Sequence, residues 1–131
     1  MIKKKQIIGE PITINGRLLS LSKAVKAGDY IFLTGQVPMK NGEIMTCGTI
    51  EEQTVAVLTE IKKTLSLAKC SLKDVVKSMI WLSKKDDFPG FNKIYGSFFP
   101  KDPPARSAIV NQLLVDVKVE IEVIAYKQEN S

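Results

Sequence analysis

Apolar residues recur at two different periods along this chain, and the switches between them mark out its elements. Tyr30-Ile31-Phe32-Leu33-Thr34 is a β-branched and aromatic run between the turn residues Gly28-Asp29 and the pair Gly35-Gln36, which predicts a strand. Asn41-Gly42 then predicts a tight reversal, as a hairpin or a loop. At Thr49 the period becomes helical. Ile50, Val57, Leu58, Ile61, Leu65 and Ala68 share one face, while Glu51, Glu60, Lys62, Lys63 and Lys69 fill the rest, so acids lead and lysines finish as the helix dipole favours. Thr49 and Glu52 have the spacing of a capping box, which satisfies free backbone amides at a helix start. The stripe is that of a helix covering a sheet, not of a membrane or partner helix.

Residues 75–82 alternate again, with Val75, Lys77, Met79 and Trp81 on one face and Val76, Ser78, Ile80 and Leu82 on the other, predicting a central strand. Asp86 or Asp87 can cap a second helix that tolerates Pro89 in its first turn, carries the core stripe Phe91, Ile94, Tyr95 and Phe98, and stops at Pro100. In 115–126, Val115, Val117, Val119, Ile121, Val123 and Ala125 face one way and Asp116, Lys118, Glu120, Glu122, Ile124 and Tyr126 the other. The order is strands, helix, strand, helix, strands. A sheet with helices on one face, an α+β layer architecture, buries these stripes most economically.

Composition narrows the function. A chain of 131 residues, 44% hydrophobic and without repeats or a low-complexity linker, predicts one domain over 1–131. The net charge of +5 is partly that of Lys3, Lys4 and Lys5, and no basic stripe interleaved with aromatics points to nucleic acid. The chain has no histidine, so zinc sites of the usual kind and cysteine-histidine or serine-histidine catalysis lack their parts. Cys47 and Cys70 stand far apart and fit core packing in a reducing cytosol. Neither a cleavable leader nor a membrane-spanning run is seen, which predicts a cytoplasmic protein.

Candidate chemistry centres on Pro103-Pro104-Ala105-Arg106-Ser107-Ala108. A guanidinium behind two prolines suits a small carboxylate, because its planar fork matches two oxygens and the prolines restrict the backbone that aims it. A solvated arginine in a surface turn accounts for the same residues. Glu120 can likewise be a proton-handling carboxylate or a solvent-facing strand residue.

Several segments together resemble the reactive intermediate deaminase (Rid, YjgF-like, RidA) family over about 19–126: Ala24-Val25-Lys26-Ala27-Gly28-Asp29, Thr34-Gly35-Gln36-Val37-Pro38, Ile50-Glu51-Glu52-Gln53-Thr54, Leu72-Lys73-Asp74-Val75-Val76-Lys77, Asp87-Phe88-Pro89-Gly90-Phe91-Asn92, Pro104-Ala105-Arg106-Ser107 and Val119-Glu120-Ile121-Glu122. The resemblance implies a chorismate-mutase-like single-layer sheet with two helices on one face, assembled as a homotrimer with sites between subunits. It implies hydrolysis of 2-imino or 2-enamino acids to 2-oxo acids and ammonia without cofactor or metal. Arg106 would clamp the substrate carboxylate, and Glu120, kept ionised by the neighbouring cation, would position or deprotonate the attacking water.

The resemblance also places Thr34, Gly35 and Asn92 at the cleft; a strand residue, a bulge or turn, and a polar helix residue are their structural alternatives. Leu21 and Ala108 stand where many family deaminases have a tyrosine and a cysteine, which changes the expected substrate more than the reaction. Other functions consistent with the chain are a deaminase of aminomuconate-type enamines, a nucleic-acid-directed role, disfavoured by the missing histidine, and a ligand-sensing trimer without turnover.

Overall fold

The computed structural model describes residues 4–14 and 16–128, so Lys3 of the predicted basic N-terminus lies outside the described residues. In chain order the strands are β1 (Gln6–Ile8), β2 (Thr13–Ile14), β3 (Arg17–Leu18), β4 (Ala24–Ala27), β5 (Tyr30–Leu33), β6 (Met39–Lys40) and β7 (Glu43–Ile44). Helix α1 (Ile50–Leu67), β8 (Val75–Leu82), α2 (Phe88–Phe98), β9 (Ala105–Val110) and β10 (Val119–Tyr126) follow. Six strands form one sheet in the order β1-β4-β5-β10-β8-β9, antiparallel except where β8 meets β9. The pairs β2-β3 and β6-β7 are separate small hairpins. Asn41 and Gly42 turn the second of these with φ of 54° and 80°, the positive pair that a tight hairpin requires.

Both helices cover one face of the sheet. Val57, Leu58, Ile61 and Leu65 of α1 and Phe91 and Tyr95 of α2 are buried with Ile31, Leu33, Ile80, Leu82, Val119, Ile121, Val123 and Ala125. The α+β expectation therefore holds, as does the capping box: Thr49 Oγ1 accepts from Glu52 N at 3.1 Å and Glu52 Oε1 accepts from Thr49 N at 3.0 Å. The inward face of α1 also carries polar residues that the apolar stripe did not include. Gln53 is fully buried, donating to Cys47 O at 3.2 Å and accepting from Lys118 N at 2.8 Å, so it ties the start of α1 to the approach to β10.

Four local expectations change. The last turn of α1 holds no basic residue; Lys69 lies past its end in the left-handed region at φ 60°, and the cation there comes from Lys127, whose Nζ donates to Lys69 O at 2.8 Å. Val75 is buried and Val76 exposed, the reverse of simple alternation from Ser78, because the β8-β10 register shifts between Ile124 and Ala125 and turns the end of the strand over. Asp87 precedes α2 without a side-chain capping bond, since a short 3-10 turn, Lys85–Asp87, feeds the helix instead. Cys70 is buried but Cys47 is exposed, so only the first packs in the core.

The other sheet face carries Tyr30, Phe32 and Tyr126, all exposed, with ring centroids 5.1 Å apart for Tyr30–Tyr126 and 6.3 Å for Tyr30–Phe32. Ladder register puts Glu120 opposite Trp81 and Glu122 opposite Met79 on this same face.

Candidate active site

Arg106 sits in a strand, not in the surface turn that its residues alone also allowed. The prolines lead into β9, an edge strand parallel to β8 in which Arg106 is paired with Ser78. Ser78 is fully buried, so Arg106 lies on the helix-covered side. Its Nη2 donates to Asn92 Oδ1 at 2.7 Å. Three rings of α2 surround the guanidinium carbon, with centroids 4.9 Å (Tyr95), 5.6 Å (Phe88) and 5.8 Å (Phe91) away. Tyr95 is itself pinned, its hydroxyl donating to Ser78 Oγ at 3.0 Å, and burial first of all raises its pKa so that it stays neutral.

Among the described residues no carboxylate pairs with Arg106. A guanidinium has five donors, and Asn92 takes one. What remains is a half-buried cation, oriented by an amide and ring faces, with donors open to an anion.

Gly35 and Glu120 form a second group. The β5-β10 pairing slips by one residue between Phe32–Ile124 and the bridge Gln36–Ile121, so the chain bulges at Thr34 and Gly35. A Cβ on Gly35 would collide with Glu120 Oε2, so the glycine makes room for that carboxylate. Thr34 is half-buried just before it, its N–H donating to Lys23 O at 3.0 Å. Burial first, and then repulsion from Glu122, push the Glu120 carboxyl above its ordinary 4.5. The expected neighbouring cation is therefore not supplied within the subunit, and the shift runs opposite to the one expected.

The predicted residues thus fall in three places. Arg106 and Asn92 meet at the β9 edge, with Ala108 beyond them lining an open cavity of about 540 Å3. Glu120 is opposite Trp81 while Arg106 is opposite Ser78, and Ser78 and Trp81 point to opposite faces of β8, so clamp and carboxylate lie on opposite faces of one sheet. Leu21 is exposed before β4, and β4 lies four strand spacings from β9, roughly 19 Å. The ring cradle was not among the predicted site residues. Its signal was present in the spacing of Phe88, Phe91, Asn92 and Tyr95, which puts all four on adjoining positions of one helix face. Among the described residues no group of Cys, Asp and Glu is arranged to hold a metal ion.

Residues 17–127 match the family described as Endoribonuclease L-PSP. The chain belongs to this family, the Rid or YjgF-like proteins. It is 44% identical over 110 residues to a RutC family protein of Pyrococcus horikoshii, covering 82% of this chain and 86% of that one. The Rid family protein YyfA of Yersinia pestis is similar in structure with a TM-score of 0.83 and 30% identity over 94% of this chain and 99% of that one. Escherichia coli TdcF, solved with serine bound, gives a TM-score of 0.82 at 29% identity, covering 94% and 99%. The matched span agrees with the 19–126 over which the sequence resembles the Rid family.

Proposed function

We propose that this protein is a homotrimeric, cytosolic deaminase that hydrolyses reactive 2-imino and 2-enamino acids to 2-oxo acids and ammonia at sites shared by neighbouring subunits. The observation that carries the reading is Arg106: a half-buried guanidinium held by Asn92 and three rings, with no carboxylate partner of its own among the described residues. The bound serine of TdcF supports it, since that ligand carries the carboxylate such a fork would take.

The chemistry asks little of the protein. A protonated imine is already electrophilic, so the enzyme holds the substrate, places a water and moves protons. Arg106 binds the carboxylate with two parallel N–H donors. Glu120 accepts a proton as the water oxygen adds to the imine carbon, returns it to the nitrogen, and accepts the hydroxyl proton as the C–N bond breaks, which releases ammonia and leaves the 2-oxo acid. Its raised pKa makes Glu120 a better base than an ordinary carboxylate. Thr34 and Gly35 line the carboxylate side, Asn92 and Ala108 the clamp side, and Leu21 reaches the site from the neighbouring subunit. The reaction needs neither metal nor cofactor. An endoribonuclease, as in the family description, would need another acid-base pair, because this chain has no histidine.

The test is hydrolysis of freshly generated 2-iminobutanoate and 2-iminopropanoate, followed against buffer and against a known Rid deaminase. Acceleration is expected, unchanged by a chelator. Tight binding of 2-oxobutanoate with no turnover would replace the enzyme with a sensor.

A further inference from the structure

The cavity beyond Arg106 shares one residue with the clamp. Phe88 belongs to both, its ring 5.6 Å from the guanidinium carbon and its side chain on the cavity wall. Ala108 stands two residues along β9 from Arg106 on the same face, about 7 Å away at strand rise, and Val110 two further. With Leu82, Lys85, Asp86, Pro89 and Ile109 they line an open cavity of about 540 Å3 whose walls are mainly apolar. In a 2-imino acid the side chain leaves the carbon next to the carboxylate, so a substrate held by Arg106 directs that side chain within reach of this wall.

We propose that the cavity lined by Phe88, Ala108 and Val110 is the subsite for the substrate side chain, and that it selects 2-imino acids with branched or aromatic side chains over the smallest ones. This rests on the deaminase reading given above. The small side chain at Ala108 leaves the cavity open, whereas any larger residue there would project into it. Six apolar residues among the eight that line the cavity suit an aliphatic or aromatic group rather than a polar one.

The experiment compares the wild type with Ala108→Leu and Phe88→Leu, using imines generated from leucine, phenylalanine and alanine. Alongside, calorimetry measures 4-methyl-2-oxopentanoate against pyruvate, so that the subsite is judged even if no imine is turned over. The wild type should favour the leucine-derived imine over the alanine-derived one by about 10-fold or more in kcat/KM, and the oxo acids should rank the same way in Kd. Ala108→Leu should abolish that preference, lowering the ratio of kcat/KM for the leucine-derived imine to that for the alanine-derived one by about 10-fold or more. Parallel losses on both substrates, or an unchanged ranking in folded variants, would overturn the subsite. A shift in assembly mass with no change in selectivity would also overturn it, by showing that a second copy of the chain fills the cavity. Selective binding without turnover would retain the subsite and sink only the deaminase reading.

Discussion

A carboxylate clamp needs a cation that is only partly solvated and not already paired, and the half-buried Arg106, with no carboxylate partner among the described residues, is held by neighbours that carry no charge. The Tyr95 ring is the nearest of its three aromatic contacts at 4.9 Å, and the bond to Ser78 holds that ring in place. Tyr95→Leu should therefore raise KM by about 2- to 30-fold, matching ~0.5–2 kcal/mol of lost cation–π interaction, with kcat little changed. Tyr95→Phe keeps the ring and should keep the affinity while lowering the melting temperature. Equal KM effects in both variants would reduce Tyr95 to a packing residue. Glu120 supplies a pH prediction. Burial, then Glu122, raises its carboxyl above 4.5, and its ionised form is the base, so kcat/KM should fall as pH drops through a limb lying above 4.5. Removing the like charge with Glu122→Gln favours ionisation and should move that limb down towards 4.5. Stability runs the other way. The folded state binds this proton more tightly than the unfolded chain, so Glu120 contributes stability at low pH and loses it as pH rises through its raised value, a slope that Glu120→Gln should abolish. A limb unmoved by Glu122→Gln would mean that another group sets the profile.

Helix α1 is the element that its own sequence determines most completely. Its capping box and apolar stripe are local, so both were legible, and Thr49→Ala should cost about 1 kcal/mol in urea unfolding while leaving kcat/KM unchanged, because Thr49 touches none of the site groups. A loss below a few tenths would show the box to be redundant with Gln53, which anchors the same end of the helix. Strand β9 is the opposite case. Ala105-Arg106-Ser107-Ala108-Ile109-Val110 has little β signal of its own and becomes a strand by parallel pairing with β8, a contact far away in the sequence. The motif therefore exposed Arg106 as a candidate but not the rings around it, nor the face on which it lies. The same applies to β8, where alternation read the middle of the strand correctly and failed at Val75 and Val76, since the register shift belongs to the pairing and not to the strand. Gly35 sits between these cases. A bulge or turn was among its expected readings and a bulge occurs, whereas the close contact with the Glu120 carboxylate belongs to the pairing of β10 and was not legible in the sequence.

At the scale of the molecule, the subunit leaves two features incomplete. The uncovered sheet face leaves Tyr30, Phe32 and Tyr126 about two-fifths exposed, so covering each would contribute about 1 kcal/mol, and that face also carries Glu120. Arg106 lies on the other face, so no single ligand can touch both within one subunit. A closed ring of three copies relates each subunit to the next by a head-to-tail contact, which can bring the Arg106 edge of one to the Glu120 face of its neighbour. Light scattering should then give three times the 14.5 kDa subunit mass. Complementation is the sharper test. Arg106→Lys loses the planar fork and Glu120→Gln loses the base, so each variant alone should lose most activity. Unfolded and reassembled together in equal amounts, they should recover it, because wherever a Glu120→Gln subunit donates its intact Arg106 to an Arg106→Lys subunit with its intact Glu120, a whole site forms. Random assembly makes roughly a quarter of the sites whole, so activity should return to about that fraction of wild type. If both residues served one site within the same subunit, every site in the mixture would carry a lesion and mixing would restore nothing.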